Sequence, residues 1–211
     1  MKSYTLTDIL ESNWLFRRNF CNSFPGFKSL NLIGTRDERG RENLAIFNSV
    51  VHIGATPPYM GFILRPLTVP RVTYHNILGT RHFTINHVST GIIREAHQTS
   101  ANYTTRISEF AETGLEPHYE GEFPAPYVAE SRIRIGLKYE EEHAIKANGT
   151  ILVIGAVQEI HLDETLVGKD GFIDLVKADT AGGSGLDGYY RGVRLARYDY
   201  ARPGKELAEL D

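Results

Sequence analysis

Along most of the chain, apolar residues come in short runs or alternate with polar ones, and glycine, proline or small polar residues end each run. That is the pattern of strands rather than of long helices. The first segment differs. In residues 5–20, TLTDILESNWLFRRNF, the apolar positions Leu6, Ile9, Leu10, Trp14 and Leu15 recur near the helical period, and SFPGF (23–27) interrupts them. KSLNLIGT (28–35) then predicts a strand, RDERGRE a polar connection around Gly40, and NLAIF the return strand of a hairpin. YMGFIL (59–64) is wholly apolar between prolines, which predicts a strand buried on both faces. PRVTYHNILGT (70–80) opens on proline and closes near Gly79, the asymmetry of a short helix. HFTIN (82–86) alternates as a strand.

From 90 to 126 the texture changes. GIIREAHQTSANY and RISEFAETG read as helical pieces in a polar excursion, and PHYEGEFPAPY as loop. This stretch is too poor in apolar residues to form a core of its own, so 1–211 reads as a single domain with an insertion at about 90–126. Alternation returns in SRIRIGLKY (131–139), with Ile133, Ile135, Leu137 and Tyr139 on one face. The acidic run Glu140-Glu141-Glu142 reads as a solvated turn at the shoulder of a hairpin. Asn-Gly in KANGT (146–150) marks the hairpin itself, and ILVIGAVQEIHL (151–162) is its long return strand. The glycines of GGSGLDG predict loop, and VRLARYDY a final strand. About six to eight strands with few helices predict a small barrel or sandwich, and barrel closure would remove exposed edges.

Composition narrows the class. At 211 residues, 41% hydrophobic and 23% charged, the chain can bury a core and has an ordinary soluble balance. A net charge of −3 leaves no basic footprint for nucleic acid. The single cysteine excludes an internal disulfide and a cysteine-rich metal site. No apolar run approaches a membrane span, and MKSYTLTDIL has no signal-peptide pattern, so a cytoplasmic location is expected.

Catalytic motifs are scarce. His82, His87 and His97 fall close together, but His82 and His87 are an odd number apart on a strand and point to opposite faces. Separate surface or loop histidines are favoured over a metal site. Ser184 sits among glycines without the spacing or strand-to-helix turn of a nucleophile elbow. The Rossmann fingerprint is absent. No catalytic residue and no metal ligand is expected.

One stretch resists a purely structural account. NLAIFNSVVHIGATPP (43–58) begins as a buried strand, yet Asn48 and Ser49 sit inside it. Buried polar groups need partners, which either the fold or a bound molecule supplies. A flavin mononucleotide requires small residues for close approach, hydroxyl and N–H groups for its phosphate, and usually a cation. Asn48, Ser49, the TSAN segment at 99–102 and Arg65 offer such groups. On composition alone, ordinary strand-end capping by Asn and Ser is favoured over a flavin site.

Several of these residues, taken in order, resemble a known family. Pro25, LNLIGT, RDERG, Asn43-Leu44-Ala45, Asn48-Ser49 and Pro57-Pro58 are followed by HNILGTRHFTIN, TSANY, SEF, TGL and VAES. The chain over about 16–200 is similar to the flavin reductase-like proteins, the FMN-binding split-barrel family that includes the flavoredoxins. Three departures stand out. Pro25-Gly26-Phe27-Lys28 replaces the family's Pro-Arg, Tyr103-Thr104-Thr105-Arg106 its Tyr-Pro-Arg-Gly, and GLDGYYR its commonest ending.

The resemblance implies a mainly β, six-stranded antiparallel Greek-key split barrel with peripheral helices. It also implies a homodimer, with FMN as cofactor satisfying Asn48 and Ser49. Flavin and phosphate contacts are expected from Lys28, Arg65, Asn48, Ser49, Thr99 and Ser100, with main-chain groups of Phe47, Val50 and Pro66 beside them. The implied activity is NAD(P)H-dependent flavin reduction, with NADH or NADPH as donor. A flavoredoxin-like carrier serving a redox partner protein and a non-catalytic FMN-binding module are the alternatives.

Overall fold

The computed structural model describes residues 1–104 and 107–210. Thr105 and Arg106, part of the departure noted above, lie outside the described residues. Two short helices open the chain, α1 (Leu6–Glu11) and α2 (Trp14–Ser23). The helical run expected over 5–20 is cut because Ser12 and Asn13 are better caps than helix interior. Thr5 closes a capping box with Asp8, and Asn13 accepts from the Phe16 N–H at 2.9 Å to start the second helix. Neither helix buries a residue.

The strands follow: β1 (Lys28–Ser29), β2 (Asn31–Arg36), β3 (Glu42–Phe47), β4 (Val50–Ala55) and β5 (Pro58–Leu64), then α3 (Val72–Thr80) and β6 (His82–His87). Next come α4 (Ile93–Gln98), α5 (Glu109–Thr113), β7 (Pro117–His118), β8 (Tyr127–Val128), β9 (Ile133–Ile145), β10 (Thr150–Leu162), β11 (Ala181–Ser184) and β12 (Gly188–Arg191). Seven of these strands form one antiparallel sheet in the order β3-β2-β6-β9-β10-β5-β4. The sheet has seven strands rather than six, because the 43–58 stretch breaks at Asn48-Ser49 into two strands.

That break closes the barrel. β3 and β4 are the opposite edges of the sheet, yet only Asn48 and Ser49 separate them. Phe47 and Val50 are three residue steps apart, so their Cα atoms cannot be more than about 11 Å apart. A seven-stranded sheet meets that limit only by curling until its edges nearly touch. The result is a split barrel whose seam is crossed by two residues.

Two cores share β2. Ile33 faces the barrel interior with Phe62, Phe83, Ile85, Leu137 and Val153. Leu32, one residue earlier, faces outward with Leu44, Val88, Ile92, Phe110 and Val128. Successive side chains on a strand point to opposite faces, so β2, and not YMGFIL, is the strand buried on both sides: β5 leaves Tyr59, Met60 and Ile63 partly exposed. The insertion supplies the outer layer. Its return strand β8 is anchored by Asn86, whose Nδ2 donates to the Leu32 carbonyl at 3.1 Å while its Oδ1 accepts from the Val128 N–H at 3.1 Å. Asn86 of FTIN is thus a structural clamp.

The C-terminal third departs from expectation in three places. Glu140-Glu141-Glu142 lie inside β9, not in a turn, because β10 pairs with β9 as far as Ile145. Glu142 accepts hydrogen bonds from the Tyr74 and Tyr139 hydroxyls at 2.8 and 3.2 Å. The glycine-rich segment around Ser184 is a hairpin, β11–β12, paired to β1 in a second sheet. VRLARYDY forms no strand. It carries one isolated bridge, Tyr198 to Glu209, and Leu195 is 92% exposed. Among the described residues, no helix is long and apolar enough to cross a membrane.

Candidate functional site

The seam opens into a cleft of about 570 Å³, within the usual range for a small-molecule site. Along one side run Asn43, Ala45, Ile46 and Phe47 of β3, with Asn48 just beyond the strand's end. One end lies at the start of α3. Asn43 is buried, and its Nδ2 donates to the Thr73 hydroxyl at 3.0 Å and to the Thr35 hydroxyl at 3.4 Å. Asn76 Nδ2 donates to the same Thr35 oxygen at 3.2 Å. This buried network fastens α3 to the β2–β3 hairpin, and it accounts physically for the Asn43-x-Ala and Asn-Ile motifs.

The start of α3 is a ready anion seat. The first N–H groups of a helix lack intrahelical partners and carry partial positive charge. Arg71 holds the cap position here, and no side chain caps the helix. Arg71 Nη2 donates to the Pro66 carbonyl at 3.3 Å, while its Nε is buried without a partner. Arg65 also lines the cleft. Glu109 is the acid at this end, and the Leu44 N–H donates to its Oε2 at 3.0 Å. Burial raises the Glu109 carboxyl above its ordinary range against that hydrogen bond.

The other end is walled by the β11–β12 hairpin and the insertion. Asn48 Nδ2 donates to the Gly185 carbonyl at 3.0 Å, holding the hairpin tip over the seam. His97 on α4 and Tyr189 on β12 meet at 2.6 Å between Nδ1 and the hydroxyl, with either able to donate according to the histidine tautomer. Both line the cleft. Burial, followed by the charge of Asp187, raises the Tyr189 hydroxyl above its ordinary range.

Of the residues expected from sequence, Phe47, Asn48, Ser49, Arg65, Thr99 and Ser100 line this cleft together. Lys28, Val50 and Pro66 stand outside its lining. Lys28 Nζ donates to the Asn22 carbonyl at 2.8 Å, which ties β1 to α2. The Val50 carbonyl accepts from Ser29, and Pro66 enters only through its grip on Arg71. The Phe47 ring turns into the barrel against Phe62, so its main chain faces the cleft. Thr99 is buried and its hydroxyl donates to the Ala96 carbonyl at 2.8 Å, closing the end of α4.

The question raised by Asn48 and Ser49 is answered in part by the protein itself. Ser49 Oγ donates to the Ile63 carbonyl at 2.9 Å, and Asn48 donates to Gly185. The fold thus supplies partners that the sequence reading assigned to FMN. What remains is acceptor capacity at both side chains and the second Nδ2–H of Asn48.

Sequence reasoning missed Arg71, Glu109 and the hairpin tip, and it set His97 aside as a surface or loop histidine. A signal existed for Arg71, since Pro70 marks a helix start beside an arginine, where unpaired N–H groups and a guanidinium lie together. None existed for the hairpin, whose partners are more than 130 residues away in the case of Asn48. Among the described residues, no group of three metal-ligating side chains converges. His82 and His87 lie on β6 and His97 on α4; His87 is half-buried, with its Nδ1 turned away from solvent and unpartnered.

Residues 28–176 match the flavin reductase like domain. A split-barrel protein from Shewanella frigidimarina NCIMB 400, provisionally described as a flavin reductase, is 47% identical, with a TM-score of 0.92 over 95% of this chain and 100% of that one. Flavoredoxin of Desulfovibrio vulgaris (Miyazaki F) is 27% identical, with a TM-score of 0.68 over 84% of this chain and 91% of its own. Nitrilotriacetate monooxygenase component B from Bacillus cereus shares the fold at 18% identity, with a TM-score of 0.79 over 92% and 96% of the two chains. No curated protein sequence matches the chain. The matched stretch contains both edges of the seam, α3 and the insertion that walls the cleft, and on that footing the chain belongs to the flavin reductase like domain family and is a flavin-related oxidoreductase.

Proposed function

We propose that the cleft binds FMN in preference to FAD and that the protein passes hydride from a reduced nicotinamide, NADH or NADPH, to that flavin. The observation that carries this reading is the buried, unpartnered Arg71 Nε at the uncapped start of α3, inside the cleft. A phosphate fits these donors: it would take the α3 N–H groups and Arg71, with Arg65 adding charge. The cleft is cationic at the α3 end and has Phe47 main chain, Ala45 and Tyr189 farther along. That polarity suits a molecule with an anion at one end and a flat apolar ring at the other.

Bound flavin supplies the hydride chemistry. The chain's own residues orient and enclose. The Asn43–Thr73–Thr35–Asn76 network keeps the α3 donors at a fixed place over β3. The hairpin tip, held by Asn48, and the His97–Tyr189 pair form the wall at the far end. Stacking geometry does the rest, and no acid–base side chain is required.

The test is anaerobic stopped-flow mixing of FMN-loaded protein with NADH or NADPH. Rapid loss of flavin absorbance supports the reductase. Slow loss with a nicotinamide, but fast reduction by a protein donor, would replace it with a flavoredoxin-like carrier.

A further inference from the structure

Besides Arg65 and Arg71, the cleft is lined by a third arginine that the flavin reading does not use. Arg18 on α2 lines its mouth. α2 lies against the hairpin tip: a Cβ on Gly185 would come within 3.0 Å of the Ser23 hydroxyl, and Lys28 ties the Asn22 carbonyl to β1. Trp14 stands one turn before Arg18 on the same helix face, with the guanidinium 5.2 Å from its ring centroid. The indole is 65% exposed. Among the described residues, the Arg18 side chain meets the Asn19 amide oxygen at 3.1 Å and the indole face, and no carboxylate. An unneutralised guanidinium beside an exposed aromatic ring offers a charged partner to a phosphate and a stacking surface to a base.

The geometry points to an adenosine-phosphate subsite at Arg18 and Trp14, occupied by the adenylate half of the nicotinamide dinucleotide. This rests on the reductase reading above, and it adds a place for the part of the donor that takes no part in hydride transfer. The α3 seat is tied to Asn43 at one end of the cleft, and α2 approaches the hairpin tip that Asn48 holds at the other, which sets Arg18 apart from the donors assigned to the FMN phosphate. Adenylate could also come from FAD, which offers the same phosphate and base.

Trp14 is the chain's one tryptophan, so its fluorescence reports on this site alone. The probe is ADP-ribose, which carries adenylate and no redox group, titrated into FMN-loaded protein. Saturable quenching is expected, and Arg18→Ala should raise the half-saturation point about tenfold while Arg18→Lys keeps most of the affinity. In steady state, Arg18→Ala should raise the KM for the nicotinamide about tenfold and leave kcat and FMN affinity unchanged. No quenching up to about 10 mM ADP-ribose overturns the subsite. So does an Arg18→Ala protein that loses FAD affinity but keeps wild-type ADP-ribose quenching and nicotinamide KM. Arg18-dependent quenching in a protein that NADH and NADPH fail to reduce would defeat the reductase reading and leave the adenylate subsite standing.

Discussion

Arg71 and Ser49 divide binding from stability at the level of single residues. Arg71 has a buried N–H with no protein partner, whereas the Ser49 hydroxyl already donates to Ile63. Hydrogen bonds to charged groups contribute roughly 1.5–3 kcal/mol. Arg71→Ala should therefore raise the flavin dissociation constant about ten- to hundredfold in a fluorescence titration, with the urea midpoint of apo-protein little changed. Ser49→Ala should do the reverse: about 1 kcal/mol of stability lost and flavin affinity kept. An Arg71 variant that binds flavin like wild type would remove the anion seat from the argument. His87 makes a further prediction. Burial pushes its imidazole from 6.5 down to about 4, and its Nδ1 has no partner. The unfolded chain takes up this proton near pH 6.5 and the folded one only near pH 4. The stability it contributes is thus complete above pH 6.5 and is lost as pH falls toward 4, by about 3 kcal/mol. His87→Phe should flatten the urea midpoint against pH in that window, and parallel curves for the two proteins would refute the assignment.

At the scale of elements, the insertion is held to the barrel by close approach as much as by apolar packing. Gly34 is buried in β2, and any Cβ there would collide with the Pro126 carbonyl oxygen and lie 2.6 Å from Thr84 Oγ1. Thr84 itself donates to that carbonyl at 2.6 Å, next to the Asn86 clamp on Val128. Gly34→Ala must push the 126–128 segment off the sheet, and overpacking of this kind costs about 1–3 kcal/mol. Gly91→Ala is the control, since its nearest neighbour would be 4.0 Å away. Urea melts of the two variants should separate clearly, and equal midpoints would show that the insertion is not seated through Gly34. The β11–β12 hairpin is held differently, by polar ties at both ends: Asn48 to Gly185 at the tip, and Arg191 Nη2 donating to Thr90 at 2.8 Å at the base.

The whole molecule leaves apolar surface uncovered at its two chain ends. Leu6 on α1 is 72% exposed, and Val193, Leu195 and Tyr200 of the tail are open as well. A soluble monomer rarely keeps that much apolar area in water. Burying it against a second copy would form an interface of the obligate, hydrophobic kind. Light scattering should accordingly give about twice 23.7 kDa, and a monomer mass at every concentration would overturn the expected homodimer.

The strands, the short helix after Pro70 and the hairpins at Gly40 and Asn148-Gly149 were legible in the chain because each depends on local periodicity or turn chemistry. The ordered motifs were legible too, and they led to the family. Tertiary structure alone decided what those motifs do. Asn43, Asn76 and Asn86 proved to be buried clamps between distant segments, and Asn48 a latch on a hairpin more than 130 residues further along. It also turned the acidic run into strand and left VRLARYDY without a sheet, since pairing depends on whether a partner strand lies alongside. The cleft belongs to the same category: its lining and its anion seat come from β3, α3, the insertion and the last hairpin, and only closure of the seam at Asn48-Ser49 brings them together.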